Sequence, residues 1–208
     1  MNAGQTSARV YEALRRRLME RAYTPGARLD PQLIADELAS STTPVRDALH
    51  VLAGEELVQL GPHGGFACAM IDEPGLVDLY AWSSAVLNLA LRDRKRVMAA
   101  PVEAKGEISS ESLAVRAREL FQAMADASAN IEHGRAMRRI NARLHGARLT
   151  EATIFQDATE ELDDIAQCYA AHDLPDLRRR LGRYWRRRRL VAARVVRQLY
   201  RTSTSRDG

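Results

Sequence analysis

The chain has 208 residues, a formal net charge of +4 at pH 7, and aromatic residues at only 5% of its positions. This length suits one large domain or two small ones, each able to bury a core of its own. Cys68 and Cys168 lie far apart and form no CxxC motif, which argues against a secreted domain held together by several disulfides. We find neither an apolar signal segment at the N-terminus nor a stretch of membrane-spanning length, so we expect a reduced, cytoplasmic protein.

The charges are distributed unevenly along the chain. Residues 1–71 contain seven arginines and eight acids, and residues 72–176 contain twelve bases and eighteen acids. Residues 177–201 contain eleven arginines and no acid. The first segment is therefore not basic overall, and the last one concentrates the positive charge. We interpret the run at residues 186–189 as a solvated helix face that pairs with the acidic middle segment, in preference to a second nucleic-acid surface.

Two short helices joined by a polar turn are predicted at residues 30–52. Pro31 suits the first turn of the first helix, because its missing N–H costs no hydrogen bond there. The apolar face of this helix is predicted to consist of Leu33, Ile34 and Leu38. The hydroxyl run at residues 40–43 then ends the helix, because hydroxyl side chains favour caps over helix interiors.

The second helix is predicted to have Thr42 or Thr43 as its cap and Pro44 close to its first position. Arg46 is expected to point off the apolar face, beside the start of the helix. The inward-facing residues are predicted to be Val45, Leu49 and Leu52.

A β-hairpin is predicted after these helices. Residues 56–60 and residues 66–70 read as two strands, and residues 61–65 (Gly-Pro-His-Gly-Gly) have the composition of a turn. The order helix, helix, helix, hairpin predicts a winged helix-turn-helix.

These residues resemble the GntR family of bacterial transcription regulators, over roughly positions 8 to 71. The segment Thr-Pro-Val-Arg-Asp-Ala-Leu at residues 43–49 carries most of the resemblance, since it is far more specific than a bare helix-turn-helix pattern. The other matching segments are Pro25 to Leu29, Leu33 to Ala35 with Leu38, Glu56 to Val58, and Pro62 to Gly64. The resemblance implies a DNA-binding domain.

The resemblance also implies that the N-terminus of the Pro44 helix enters the DNA major groove. Arg46 is expected to read a guanine edge, and the wing is expected to approach the minor groove. Many relatives carry arginine at the position of Thr42, so the operator sequence cannot be carried over from them. The candidate DNA contacts are Arg28, Ser41, Thr42, Thr43, Arg46, His63 and Gly64. The alternatives are that the hydroxyl cluster is only a helix cap and that His63 is an ordinary turn residue.

The pattern from residue 72 onward predicts only helices, so we place a domain boundary between residues 71 and 72. The predicted helices span residues 75–98, 110–127, 130–149, 151–172 and 175–202, with Asn130 as a cap and residues 101–109 as a loop. The predicted fold class is therefore mostly α. An N-terminal winged helix-turn-helix (1–71), with three helices and a β-hairpin wing, is followed by an all-helical bundle domain (72–208).

The second domain resembles the FadR-like branch of the family, in its FCD subgroup. That subgroup often binds a metal through an Asp and a His spaced i, i+4 on one helix and through a His on each of the last two helices. Here the first pair corresponds to Asn141 and His145, the fourth position to Tyr184, and the third falls near Leu162 or Asp163. One histidine in four positions cannot complete such a site, so we expect no metal and no other cofactor.

Arg188 suggests a different kind of pocket, because it interrupts the apolar stripe of the last predicted helix. A guanidinium there could clamp a carboxylate in two parallel hydrogen bonds. We hypothesise that Asn141, His145, Tyr184 and Arg188 line an effector pocket that needs no metal. The alternatives are that His145 is a core histidine and that Arg188 only extends its stem over the edge of the core.

The sequence therefore predicts a homodimeric, ligand-responsive transcription regulator, expected to repress transcription from a palindromic double-stranded operator. A small-molecule effector, with a carboxylate as one candidate, is expected to modulate DNA binding from the helical domain. The alternative is a ligand-sensing or protein-interaction dimer that has lost sequence-specific DNA binding, as the negative charge of residues 1–71 suggests. No nucleophile–base pair, metal-spaced cluster or glycine-rich phosphate loop in the sequence indicates an enzyme.

Overall fold

Helices dominate the structure, as the fold-class prediction stated. The computed structural model describes residues 3–61, 64–94 and 109–204. One compact unit extends to Ile71, and Asp72–Arg201 form a second one. No described helix is long and apolar enough to cross a membrane.

The described part of the first unit contains three helices and three short strands. These elements are α1 (Ala3–Met19), β1 (Arg28–Leu29), α2 (Pro31–Glu37), α3 (Thr42–Gly54), β2 (Val58–Leu60) and β3 (Phe66–Cys68). Helix α3 packs against α1 and α2. Its residues Val45, Leu49 and Leu52 are fully buried, as their spacing predicted, and so are Val10 and Leu14 of α1.

The predicted hairpin is present, and a third strand extends it into a small sheet of order β1-β3-β2. Both pairings are antiparallel, with Leu60 of β2 and Leu29 of β1 opposite Phe66 of β3. Strand β1 was not predicted, because two residues are too few to show an alternating pattern. It is held by tertiary pairing, in which the Cys68 N–H donates to the Ala27 carbonyl at 2.9 Å.

Two local predictions in the helix-turn-helix are wrong. Leu33 is 63% exposed instead of facing inward, whereas Ile34 and Leu38 are buried. Because one residue rotates a helix by about 100°, Ile34, Ala35 and Leu38 form the core face and Leu33 lies to one side of it. The residue that caps α3 is Ser41 rather than Thr42 or Thr43, since its backbone is still extended and the helix begins at Thr42.

The second unit consists of helices in its described part. These are α4 (Glu73–Arg92), α5 (Ser110–Asp126), α6 (Ile131–Ile154), α7 (Ala158–Ala170), α8 (Leu174–Leu190) and α9 (Ala192–Thr204). Asn130 caps α6 as predicted, with its Oδ1 accepting a hydrogen bond from the Glu132 N–H at 3.0 Å.

Three helix ends differ from the prediction. Helix α4 ends at Arg92 instead of residue 98, and the predicted loop lies outside the described residues except for Ser109. Helix α6 continues to Ile154 instead of ending near residue 149, since no proline or glycine lies there to stop it. The predicted last helix is divided at Val191 into α8 and α9. Where these helices end depends on tertiary packing, and the spacing of apolar residues along the sequence does not predict it.

An aromatic cluster occupies the centre of the second unit. The Tyr184 ring of α8 makes edge-to-face contacts with Phe121 of α5 at 5.1 Å and with Trp185 at 4.7 Å. Tyr80 of α4 lies 6.0 Å from Trp185. All four side chains are almost fully buried, so this cluster ties α4, α5 and α8 together.

Candidate DNA-binding surface and buried polar cluster

The start of α3 exposes its polar residues. Ser41 and Thr43 are exposed, Thr42 is half-buried, and the Ser41 side chain makes no capping hydrogen bond to α3. The N–H groups of the first turn are therefore not satisfied by this cap, and they point out of the helix end. A helix N-terminus in this state attracts phosphate. The structure gives no support to the alternative that these hydroxyls serve only as a cap.

Arg46 lies one turn after the start of α3, on the flank of the buried face that contains Val45 and Leu49. Its side chain is exposed and has no ion pair with any described residue. A guanidinium in this state is available to a partner. The sequence analysis placed Arg46 correctly relative to the core.

Several other arginines of the first unit are engaged within it. Arg9 donates to the Leu38 carbonyl at 3.1 Å, at the end of α2. Arg15 pairs with Glu55 at 3.4 Å, and Arg17 pairs with Glu37. The exposed arginines of this unit that form neither an ion pair nor a hydrogen bond with a described residue are Arg16, Arg28 and Arg46.

The sheet places two further candidate residues. Arg28 is exposed on the edge strand β1. Gly64 is exposed in the β2–β3 turn and has a φ of +77°, a conformation that favours glycine. His63, the other wing residue predicted to approach DNA, lies outside the described residues.

The four predicted effector residues lie in the interior of the second unit. Asn141 and His145 of α6, and Tyr184 and Arg188 of α8, are each at most 2% exposed. Burial raises the pKa of Tyr184 to about 12. Because Arg188 is buried along its whole length, it does not extend its guanidinium group to the surface. The guanidinium carbon of Arg188 lies 3.2 Å from the centre of the Tyr184 ring.

Arg188 already has two carboxylate partners. Its Nε donates to Oε2 of Glu151 at 2.8 Å, and its Nη1 donates to Oε2 of Glu161 at 2.7 Å. Burial disfavours its charge, but Tyr184, Glu151 and Glu161 outweigh burial and raise the pKa of Arg188. The other oxygen of Glu151 accepts a hydrogen bond from the Tyr80 hydroxyl. This arginine is thus a structural centre and not a free clamp.

Arg148 is a buried cation that the sequence analysis missed. It is 3% exposed, its Nη2 donates to Oδ1 of Asn141 at 2.9 Å, and its Nη1 has no hydrogen-bond partner. Burial lowers the pKa of Arg148, and no carboxylate pairs with it among the described residues. The signal was available, since Asn141, His145 and Arg148 follow the i, i+4, i+7 spacing of one helix face.

Asn141 is also held from α5. Its Nδ2 donates to the Arg118 carbonyl and to Oε1 of Gln122, both at 3.2 Å. The Phe121 ring lies next to this group, because the guanidinium carbon of Arg148 is 5.5 Å from its centre. Phe121 is therefore in contact with both Arg148 and Tyr184.

The positions that correspond to the family's metal ligands hold a mixed set. They are occupied by Asn141, His145 and Tyr184, and Asp163 is engaged in an ion pair with Arg116. Within the described ranges, no three His, Cys, Asp or Glu side chains are grouped so that they could hold a metal ion.

Part of the arginine run pairs with acids of α7, as the sequence analysis expected. Arg187 donates to both carboxylate oxygens of Asp157, at 2.8 and 2.9 Å, and to Glu161 at 2.9 Å. Arg180 pairs with Asp176 at 2.9 Å and also with Asp164. The pairs of Arg187 with Glu161 and of Arg180 with Asp164 connect α7 with α8, whereas the Arg180–Asp176 pair lies within α8.

Comparison with known proteins agrees with the geometry of the first unit. Residues 6–67 match the model of the family described as bacterial regulatory proteins, gntR family. No curated protein matches the chain.

Solved structures of similar fold cover nearly the whole chain. McbR/YncC from E. coli has 16% sequence identity and a TM-score of 0.64, and the alignment covers 93% of this chain and 99% of that one. The GntR structure from Rhodococcus sp. RHA1 has 20% identity and a TM-score of 0.65, with 89% and 96% covered. At these identities the likeness shows the fold alone.

The sequence match to the family and the exposed polar start of α3 both indicate a DNA-binding helix-turn-helix. Residues 6–67 therefore form a helix-turn-helix domain of the GntR family of bacterial regulatory proteins, and the chain that carries it is a DNA-binding transcription regulator.

Proposed function

We propose that this protein is a homodimeric, cytoplasmic repressor that binds a palindromic operator through α3 and the wing and responds to a small anionic effector. The exposed, unpaired Arg46 on α3 of a GntR-type domain carries the proposal. A bidentate contact from Arg46 to a guanine edge gives sequence discrimination of about 1–3 kcal/mol. Ser41, Thr42 and Thr43 meet phosphates or bases at the same helix end.

Phosphate contacts from the edge of the sheet complete this interface. Arg28 of β1 and the backbone of Gly64 in the wing turn are both exposed. They form the part of the surface that approaches the minor groove. Two copies of this surface, related by a two-fold axis, account for a palindromic operator.

The effector site lies around Asn141 and Arg148, with His145, Tyr184 and Arg188 around it. Arg188 is neutralised by two carboxylates, so it positions Tyr184 and Glu151. Arg148 has no carboxylate partner, and its free Nη1 can donate to an anion. Trp185 also has a buried N–H without a partner, and its ring lies 5.2 Å from Phe121, which Arg148 contacts too. Two buried donors without partners, both on residues that contact the same aromatic ring, suit a small carboxylate.

The dimer uses the exposed apolar stripe of α4. Trp82, Ala85 and Leu89 follow i, i+3, i+7 spacing and are exposed, with Trp82 at 51% and Leu89 at 44%. Trp82 and Leu89 line a groove of about 540 Å³ between α4 and α6. An exposed tryptophan in an apolar stripe is typical of a protein interface. We therefore expect W82E to produce a monomer in sedimentation velocity.

The DNA-binding part is tested with duplexes selected by the full-length protein from a random pool. R46A is expected to lose about tenfold or more in affinity for the selected sequence, corresponding to about 1–3 kcal/mol. R46K keeps the positive charge but loses the paired N–H donors of the guanidinium group. It is therefore expected to keep binding to mixed-sequence DNA and to lose the preference for the selected sequence. Equal discrimination by the wild type and both variants would refute the role of α3. Failure of the wild type to bind any duplex would instead favour a sensor without DNA binding.

The effector part is tested by thermal unfolding with small mono- and dicarboxylates. A carboxylate that binds the folded protein is expected to raise the Tm of the wild type in a concentration-dependent way. R148Q is expected to abolish this rise, whereas R139Q, which replaces an exposed arginine of the same helix, is expected to keep it. The same rise in R148Q and the wild type would exclude Arg148 as the anion site.

A further inference from the structure

The arginines of α8 and α9 fall into two groups. Arg179, Arg180, Arg187 and Arg188 form ion pairs with acids of the second unit. The other seven are exposed and form no ion pair with any described residue, and two of them, Arg178 and Arg183, lie in the first part of α8. We name the remaining five the α8–α9 basic surface: Arg186, Arg189, Arg194, Arg197 and Arg201.

This surface follows the helix geometry and is not a random scatter of charges. Arg186, Arg194, Arg197 and Arg201 form one row with Leu190, in which successive residues are spaced by three or four, and Arg189 lies next to this row. The buried residues Tyr184, Arg188, Ala192, Val195 and Leu199 have a parallel spacing. In α8 and in α9 the arginines of this surface are therefore exposed, away from the buried row of the same helix.

The spacing of these charges suits a polyanion. Arg194, Arg197 and Arg201 span seven residues of α9, or about 10 Å of helix. Over about 10 Å, duplex DNA presents about six phosphate charges, since there is one for every 1.7 Å of its axis. Five unpaired guanidinium groups repel one another in the free protein, so an anionic surface that neutralises them binds with release of counterions.

Duplex DNA fits this surface better than a membrane does. A helix that lies on a membrane inserts an apolar face, but the apolar residues Ala192, Val195 and Leu199 of α9 are buried in the protein. Leu190 is the apolar side chain left exposed beside the arginines, at 79%. One leucine does not make an insertion face.

The winged domain has few positive charges of its own for contacts with DNA phosphates. Its net charge over residues 1–71 is seven minus eight, or −1. Arg9, Arg15 and Arg17 are engaged within the domain, so few of its cations are free for phosphates. A regulator with so weak a basic domain gains affinity from a second cationic surface.

We propose that the α8–α9 basic surface binds the phosphate backbone of duplex DNA without sequence preference. This inference uses the ligand of the proposed function but does not depend on how α3 reads its operator.

The test compares two variants that lose the same charge. R194Q/R197Q removes two arginines of the surface, and R92Q/R138Q removes two exposed arginines of α4 and α6. Affinity of the full-length proteins for a mixed-sequence duplex is measured by fluorescence anisotropy between about 50 and 200 mM salt, where phosphate contacts dominate. R194Q/R197Q is expected to reduce the slope of log K against log salt by about 0.9 for each phosphate that is no longer neutralised. The R92Q/R138Q control is expected to keep the wild-type slope.

The outcomes separate this inference from the proposed function. Equal slopes for both variants overturn the inference, even where R46A still abolishes discrimination among selected sequences. A wild type that binds no duplex overturns both. Vesicles containing phosphatidylserine are tested in parallel. If R194Q/R197Q keeps the DNA slope and loses vesicle binding, the surface belongs to an anionic membrane and the DNA assignment is wrong.

Discussion

Arg188 of α8 donates from Nε to Oε2 of Glu151 of α6 at 2.8 Å, and both side chains are almost completely buried. The same guanidinium pairs with Glu161 of α7, and Glu151 also accepts from Tyr80 of α4. One buried group of charges therefore connects four helices. Because a buried charge without its partner is strongly destabilising, this group holds the helices only while it is complete.

R188M is expected to lower the free energy of unfolding by about 3–5 kcal/mol, because it leaves Glu151 buried without a cation. E161Q is expected to cost less. Glu161 is more exposed, and Arg188 keeps Glu151 in this variant. Urea unfolding followed by circular dichroism gives both values. A cost for E161Q equal to that for R188M would contradict the central role assigned to Glu151.

R148M is expected to differ from R188M although both remove a buried arginine. Burial lowers the pKa of Arg148 and the charge of Glu151 partly offsets this, but Arg148 forms no salt bridge with a described carboxylate. Glu151 keeps its direct pair with Arg188 when Arg148 is removed. It removes the hydrogen bond to Asn141, which costs less than about 3 kcal/mol, and it relieves the burial of an unneutralised cation. Urea unfolding is again the measurement. A loss as large as that of R188M would mean that Arg148 has a structural ionic partner.

Strong local patterns predicted the helix-turn-helix well. The spacing of Val45, Leu49 and Leu52 predicted the buried face of α3, and the turn composition predicted the wing. Leu33 was misplaced because three adjacent apolar positions do not say which pair of them faces a partner helix. Strand β1 could not be predicted, since it exists only through its pairing with β3.

The buried polar cluster was predictable only in part. Placing Arg188 in an apolar stripe correctly indicated that it is buried, but its partners Glu151 and Glu161 come from other helices. No periodicity within α8 reports them. Arg148 shares a helix face with Asn141 and His145, so a wider search of that face would have found it. Arg148 keeps an N–H donor without a partner and Arg188 does not, because the carboxylates from other helices lie next to Arg188. This arrangement cannot be predicted from the pattern of one helix.

The wing turn offers a matched pair of glycines. Gly64 has a φ of +77°, whereas Gly65 has no such backbone requirement, and a Cβ added to either residue would meet no atom within 4 Å. G64A is therefore expected to cost about 1–2 kcal/mol through backbone strain alone. G65A is expected to change the free energy of unfolding far less. Thermal unfolding of both variants checks this. Equal costs would show that the turn adopts another conformation in solution.

Acid is expected to weaken the contact between α7 and α8. The hydrogen bonds from Arg187 hold the pKa of Asp157 below its usual value of 3.8. The folded protein thus binds this proton less readily than the unfolded chain does. The resulting stability is present above the unfolded pKa and is lost as the pH falls through the folded pKa.

A double-mutant cycle with D157N and R187Q measures this contribution. The coupling between the two side chains is expected to be favourable at neutral pH and to vanish once Asp157 is protonated in both states. R187Q also removes a contact to Glu161, and the cycle cancels that effect because it is present in both arms. Urea unfolding at a series of pH values below about 5 gives the coupling as a function of pH. A coupling that persists below the folded pKa of Asp157 would show that the pair is held by contacts other than its charges.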